Sequence, residues 1–578
     1  MSDIARRVIK ASQFEHFSEG IRKRKGKRMN DPRGSQWRRW DLQVHTPESV
    51  LNNQFGDDWD LYVHTLYTKA IARKIAVIGI TDYFTIDGYK RLKTEYLDDF
   101  EALRRVFHAE FANDPTYIDK VLNIAIMANV EFRLDVAIEK GGSKKLNMHV
   151  VFAENLTAKQ IEENFLSQLH FTFEGVPQQR DDKRPLNRAN LEDLGRRRKT
   201  HFPELLGTDM YQGCIAAAVD HEEVSSVLSS NAIFHNSYAI ILAEETTSVL
   251  PLLSQSGHLR AVLIQKSDAI FSGSEKTRMR ALSQAFADQF GACKPCLWGS
   301  DAHMFERLFE PDQQRYCWVK ADPNFAGLRQ VFNEPEARTY VGPVPPLLNE
   351  LAQQKRFFID TISISKKASS TLKESWFDGA RLDLNPEMVA IIGNKGSGKS
   401  ALADTLALMG GCQLGEDEYG FLKSKRFRAK DSGSKVDRSG EFEARVTWSN
   451  GETSPPRSLA ATVSAGEVER VKYLPQGYLE RICNERDVKS VGDFRQELDR
   501  VIFSHVPIAD RLGRSTLAEL LDGETVESKR TRSALKARLR ELNLRIYGIE
   551  ERLSAETRSR IEQRIASRSK ELEALDEA

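Results

Sequence analysis

Apolar runs long enough to cross a bilayer are missing from this sequence. Nowhere do the roughly 18 successive apolar residues of a membrane helix occur, so a helical span is excluded. The first residues lack the apolar core of a secretory signal, and export is not expected. Cysteine is scarce, 6 in 578 residues and without regular spacing. That excludes a disulfide-stapled secreted fold and makes a reducing cytoplasm the expected compartment. The Cys293-x-x-Cys296 pair lacks the second pair that a zinc ribbon needs, and reads as two buried thiols. Net charge is also nearly absent: 84 Lys and Arg against 83 Asp and Glu, a formal +1. No global pull toward nucleic acid follows. The excess is local, in Ile21 to Asn30, which has six basic residues and no acidic one. Residues 1–36 read as a basic arm, suited either to plain solvation or to salt-dependent contact with a phosphate backbone.

A chain of 578 residues is expected to hold more than one core. Its most specific motif is Gly393-Asn394-Lys395-Gly396-Ser397-Gly398-Lys399-Ser400. An apolar run, Met388 to Ile392, precedes it and is expected to be a strand. A helical run, Ala401 to Met409, follows. This is the strand, glycine-rich loop and helix of a P-loop. The glycines let backbone N–H groups turn toward a phosphate, and the helix N-terminus adds partial positive charge. Lys399 is expected to reach the outer phosphates of ATP and Ser400 to ligate Mg²⁺.

Upstream, short apolar runs end repeatedly in polar, chemistry-bearing residues. Arg39 to Thr46 ends in His45. Ile75 to Ile80 runs into Thr81-Asp82-Tyr83, and Val121 to Val130 into Glu131. Leu146 to Phe152 carries His149; Tyr238 to Ala243 ends in Glu244-Glu245; Cys296 to Gly299 leads to Ser300-Asp301-Ala302-His303. Strands alternating with helices, their ends bearing His, Asp and Glu, predict a parallel α/β barrel with its chemistry at the strand C-termini. Imidazoles and carboxylates together suit Zn²⁺, Mn²⁺ or Fe. A pair of such ions activates water and clamps a phosphoryl group.

Asp41-Leu42-Gln43-Val44-His45-Thr46, the Thr81-Asp82 to Asp87-Gly88 stretch, Asn129-Val130-Glu131-Phe132 and Gly299 to His303 resemble the motifs of the PHP (polymerase and histidinol phosphatase) domain. The resemblance covers roughly residues 37–345. It implies a distorted seven-stranded α/β barrel that holds two or three metals in the family, one or two here, and hydrolyses phosphoesters. By motif, His45, Glu131, His149, Asp301 and His303 would be ligands, with Asp82 beside them. His45, Glu131, Asp301 and His303 would carry catalysis, with Mn²⁺ or Zn²⁺. Two positions depart from the pattern: Gln43 and Tyr83 stand where the family has histidines. A further family histidine has only His201, His221 and Glu244 as candidates. The order of motifs, together with Lys294 to His303, Arg315 to Gln330 and Glu334 to Arg338, resembles PHP–ATPase fusions of the TrlF type, in which an SMC-like ATPase follows the barrel. This implies a bacterial protein acting on nucleic acid in repair or antiphage defence. Arg278 reads equally as a phosphate contact or a surface charge.

The Pro-rich Val341 to Asn349 marks a boundary. Residues 346–523 would be the N-terminal lobe of an ABC/SMC-like head. Its strands are expected at Phe357 to Ser365, at Glu441 to Trp448 before an Asn450-Gly451 turn, and at Val471 to Gln476. Gln476 resembles the glutamine that reaches Mg²⁺ and the attacking water in such ATPases. From 524 to 578, Leu535, Leu539, Leu542, Ile546, Ile549 and Leu553 step 4-3-4-3-4, slip by one, and resume at Ile561, Ile565, Leu572 and Leu575. That is a heptad seam, expected to form one arm of an antiparallel coiled coil and to support homo-oligomers. No signature motif and no Asp-Glu-terminated apolar run follows Gln476, and the chain ends at Ala578 inside the helix. ATP hydrolysis is therefore expected only with a continuation that supplies them.

Overall fold

The computed structural model describes residues 33–135, 146–173, 184–243, 258–373, 376–415, 418–428, 438–464, 466–475, 495, 498–499, 501–503 and 505–576. The basic arm before residue 33, Glu244 and Gln476 lie outside them. The chain divides into two compact units, Met1–Lys399 with Arg438–Ala461, and Ser400–Asp437 with Thr462–Ala578.

The first unit is built on a nine-stranded sheet. Its strands in chain order are β1 (Trp37–His45), β2 (Ile75–Tyr83), β3 (Ala125–Arg133), β4 (Asn147–Phe152), β5 (Tyr238–Ala243), β6 (Ala269–Phe271), β7 (Cys296–Leu297), β8 (Cys317–Lys320) and β9 (Thr339–Val341). Spatial order is β7-β6-β5-β4-β3-β2-β1-β8-β9. Past β7, Ala302 bridges back to Val44 in parallel, Asp301 N–H donates to Gln43 O (3.0 Å) and His45 N–H to Ala302 O (3.1 Å). The first seven strands therefore nearly close into a ring, while β8 and β9 leave it as an antiparallel pair on the first half of β1. The expected all-parallel barrel is corrected in one respect: β4 runs antiparallel to both β3 and β5. A parallel neighbour needs a crossover returning the chain to the starting end, and β4 begins at the end where β3 stops. A second correction falls on β3, which starts at Ala125; Val121 and Leu122 close a helix, Tyr117–Leu122.

Alternation along the strands sorts two cores. Trp40, Leu42, Val77, Met127, Val151, Ile241, Phe271 and Leu297 pack together on one face of the sheet. Val44, Ile78, Ile80, Val130, Val150 and Leu242 pack on the other with the helices, including α1 (Trp59–Arg73). Gly79 lets β1 and β2 approach closely: a Cβ there would lie 2.2 Å from Leu42 O. Gly79→Ala must push backbone from backbone, three residues from His45. A stability loss of about 1–3 kcal/mol is expected, read as a lower urea midpoint at unchanged m.

The unit continues in a four-stranded antiparallel sheet of β10 (Ile359–Lys366), β11 (Ala380–Asp383), β12 (Phe442–Trp448) and β13 (Arg457–Ser458), ordered β11-β10-β12-β13. β10 and β12 are the two expected strands, and Gly451 (φ 88°) turns the chain after β12. The strand expected at Met388 to Ile392 does not form. No described segment pairs with it, and Met388 (91% exposed) and Ile392 (89%) face solvent. An apolar pattern cannot satisfy a strand's backbone groups without a neighbour. Val471 to Pro475 likewise carries no strand.

In the second unit, α2 (Lys399–Met409) follows the glycine loop. Thr516 caps α3 (Leu517–Leu553) by accepting from Glu519 N–H, and α4 (Ala555–Asp576) follows. Extended backbone at Ser554 (φ −61°, ψ 143°) separates them, where the heptad phase slips. The seam from Leu542 (40% exposed) to Leu553 (77%) is solvent-facing, so the heptad pattern is present without a packed partner among the described residues. None of the described helices is long and apolar enough to cross a membrane.

Candidate metal centre

Four neighbouring strands bring their ends to one level of the ring. His45 pairs with Thr81, Tyr83 with Glu131, and Glu131 with His149. Strict alternation would set His45 on the face opposite Trp40 and Leu42. An irregularity between Asp41 and Val44 resets the parity, the way bulges re-aim side chains next to sites. Asp301 and His303 arrive on the segment that closes the ring. Asp301 sits there with φ +49°, left-handed backbone held by its N–H bond to Gln43 O.

His45 Nε2 lies 3.3 Å from Asp301 Oδ1 and 3.5 Å from Glu131 Oε2. Those separations match the edge of a tetrahedron with bonds of about 2.1 Å, the Zn–N and Zn–O range. Ligating atoms of His45, Asp301 and His303 fall within 4.8 Å of one another. His45 Nε2, Glu131 Oε2 and His149 Nε2 are buried without any hydrogen-bond partner. Buried polar atoms are nearly always satisfied, so three unpaired atoms at one level are a set that a metal ion would fit.

The surroundings hold the His45 and His149 rings in the tautomer that a metal requires. Asp82 Oδ1 accepts from the Ser49 hydroxyl (2.9 Å), so Ser49 Oγ accepts from His45 Nδ1 (2.8 Å), leaving Nε2 toward the centre. Asn129 donates to Leu42 O and Thr81 Oγ1, which turns its Oδ1 to His149 Nδ1 (3.3 Å). Asn147 holds Glu131 Oε1 (2.6 Å) and leaves Oε2 for the centre. Asp82, expected as a ligand, lies on the opposite face of β2. Its oxygens accept from Thr46, Ser49 and Gly88 N–H, so it orients His45 instead of binding metal. Burial pushes its carboxyl up to about 6, against those donors. Ser49 carried no signal in the sequence beyond its spacing of four from His45. Ser49→Ala is expected to weaken metal affinity about 10–100-fold with the fold intact, read by metal titration beside a thermal melt.

Charge at the site is coupled. Burial disfavours a charged His45 ring, but the Asp301 and Glu131 carboxylates outweigh it and raise its pKa to about 9. Burial lowers the pKa of His149 and of His303. Glu131 and Asp301 are held low by the imidazoles against their own desolvation. The two departures also have definite places. Gln43 donates to Asp301 Oδ1 (2.9 Å). His303 Nδ1 bonds Asp301 O (2.9 Å), so Nε2 accepts from the Tyr83 hydroxyl (3.0 Å). His201 and His221 are not in the group; His221 opens the helix His221–Ser230. Arg278, its side chain 15% exposed, pairs with Glu275 (2.7 Å).

The Gly393–Ser400 loop is exposed except at the half-buried Gly398 and Lys399, and is shaped by Gly393 (φ 154°), Gly396 (87°) and Gly398 (94°). Lys399 Nζ donates to Gly393 O and Asn394 O, 2.8 Å each. Asn394, Lys395 and Ser397 lie in the turn, and Ser400 is in the first turn of α2. Compared with known proteins, the chain matches no family model and no curated sequence.

Proposed function

We propose that this chain is a metal-dependent phosphoesterase acting on nucleic acid, joined to a nucleotide-binding P-loop that uses ATP and Mg²⁺. The observation that carries the reading is the set of orphaned buried atoms, His45 Nε2, Glu131 Oε2 and His149 Nε2, beside Asp301. Imidazole and carboxylate donors suit Mn²⁺ or Zn²⁺, and His45, Glu131, His149, Asp301 and His303 would hold the ion. Bound there, it supplies an activated water and neutralises phosphoryl charge. The protein's own residues do the rest: Asp82, Ser49 and Asn129 fix the rings of His45 and His149, and the Tyr83 hydroxyl would have to release His303 Nε2 before that ring could bind the ion. The glycine loop would cradle phosphates, with Lys399 at the outer ones. The exposed heptad residues of α3 and α4 support homo-oligomers.

A second reading is a non-catalytic barrel serving as scaffold for an ATP-sensing, nucleic-acid-binding or assembly module. It draws on Tyr83 occupying His303 Nε2 and Gln43 occupying an Asp301 oxygen. Metal analysis of the purified protein and a nuclease assay in Mn²⁺ separate the two. The enzyme reading expects stoichiometric metal and activity that His303→Ala abolishes. No metal, and no change in His303→Ala, leaves the scaffold.

A further inference from the structure

Beyond the metal centre and the glycine loop, the second unit presents a basic surface at Tyr419 to Arg428, Y-G-F-L-K-S-K-R-F-R. It carries four basic residues and no acidic one. Lys425 and Arg426 are exposed, and Lys423 is half-buried. Neither lysine forms an ion pair among the described residues. Glu418, next in sequence, turns back to accept from Gly415 N–H (2.7 Å).

This is not a loosely solvated charge run, because its base is fixed with unusual thoroughness. Asp404, fully buried on α2, accepts from the backbone N–H groups of Gly420 (3.3 Å), Phe421 (2.5 Å) and Leu422 (2.9 Å), and from the Tyr473 hydroxyl (2.6 Å). Leu422 is buried beneath. Above it, Arg426 N–H and Arg428 N–H both donate to Lys423 O, 3.1 Å each. Phe421 and Phe427 stack at 4.7 Å across the turn. Gly420 sits against the first turn of α2: a Cβ there would lie 3.5 Å from Ser400 Cβ. A carboxylate buried to hold three successive N–H groups costs desolvation, and the outcome is a rigid turn displaying cations.

We propose that Lys423, Lys425 and Arg426 form a contact surface for the phosphate backbone of nucleic acid, presented on the P-loop helix through Asp404. Rigid display reduces the ordering cost of each phosphate contact, and a surface of lysines and an arginine without base-reading groups binds without regard to sequence. The proposal rests on this turn alone and stands or falls separately from the metal centre.

The test compares the full chain with a Lys423→Gln, Lys425→Gln, Arg426→Gln triple variant, all three on the surface of the turn. Fluorescence anisotropy reads binding to a 20-mer duplex and single strand from 50 to 300 mM salt, with EDTA to silence cleavage. The triple variant is expected to bind about 10–100-fold more weakly at 100 mM salt, for all sequences alike. The slope of log affinity against log salt should fall by about one per lost contact. Its melting temperature and ATP affinity should match wild type. Wild-type affinity in the variant overturns the proposal. So does a loss confined to ATP binding, which would assign the cations to the nucleotide. So does binding of the wild type to phosphatidylserine vesicles but not to nucleic acid, which would make the turn a membrane contact.

Discussion

Glu131→Gln is expected to lower the affinity of the proposed centre for Mn²⁺ by more than about 100-fold, beyond the 10–100-fold range of supporting residues. The side chain is nearly isosteric, and Asn147 can still engage it, so the fold should survive. What is lost is the negative oxygen 3.5 Å from His45 Nε2. The same substitution should change how binding depends on pH. In the metal-free site a proton resides on His45, whose pKa is raised from 6.5 to about 9 against burial by Asp301 and Glu131. A raised folded-state pKa means that this proton stabilises the fold fully below about 6.5, and that the stabilisation fades as pH climbs toward 9. A metal at Nε2 must displace that proton. Affinity for Mn²⁺ should therefore tighten nearly tenfold per pH unit between 7 and 8.5, with close to one proton released, read by calorimetry in buffers of different ionisation enthalpy. In Glu131→Gln one of the two carboxylates that hold the proton is gone, so the residual dependence should be shallower. A pH-independent affinity in wild type, or undiminished metal content in the variant, would sink the assignment of His45 and Glu131 as ligands.

How far such residues could be read from sequence depends on whether their role is local. His45, Glu131, Asp301 and His303 end or follow an apolar run and His149 lies inside one, and the ring brings these positions to one level. Asp82 stands in an equally suggestive place, but period-two alternation sends it to the other face of β2 from Thr81 and Tyr83. His45 escapes the same fate only through a parity change between Asp41 and Val44, which depends on how β1 seats on β2. Ser49 and Asn129 matter through hydrogen bonds to rings far away in sequence or around a turn. The Met388 to Ile392 run shows the limit most clearly. Its composition is that of a buried strand, yet strand formation is a property of pairs, and the partner is not among the described residues.

Lys399→Ala is expected to lose nucleotide binding by about 100-fold or more. Three glycines of the loop stand in conformations that a Cβ would strain, as a phosphate-binding loop would need. Lys399 folds its ammonium back across the mouth, donating to Gly393 O and Asn394 O. Those carbonyls hold the charge only until a better acceptor arrives. A hydrogen bond to a charged partner contributes about 1.5–3 kcal/mol, and two such contacts to β- and γ-oxygens exceed the ~2.8 kcal/mol that corresponds to 100-fold. Lys399→Arg should rescue little, because a planar fork does not replace a compact ammonium in a tight loop. The side chain is half-buried and bonds only to carbonyls of its own loop, so melting temperature without nucleotide should change little, and titration with a fluorescent ATP analogue isolates the binding term. Wild-type affinity in Lys399→Ala would contradict the P-loop reading. The two variants also cross-check each other. Lys399→Ala should keep its barrel metal and Glu131→Gln its ATP affinity, because the residues share no partner and distant sites behave additively. If ATP alters phosphodiester turnover in wild type but not in Lys399→Ala, the loop's occupancy is what governs the barrel.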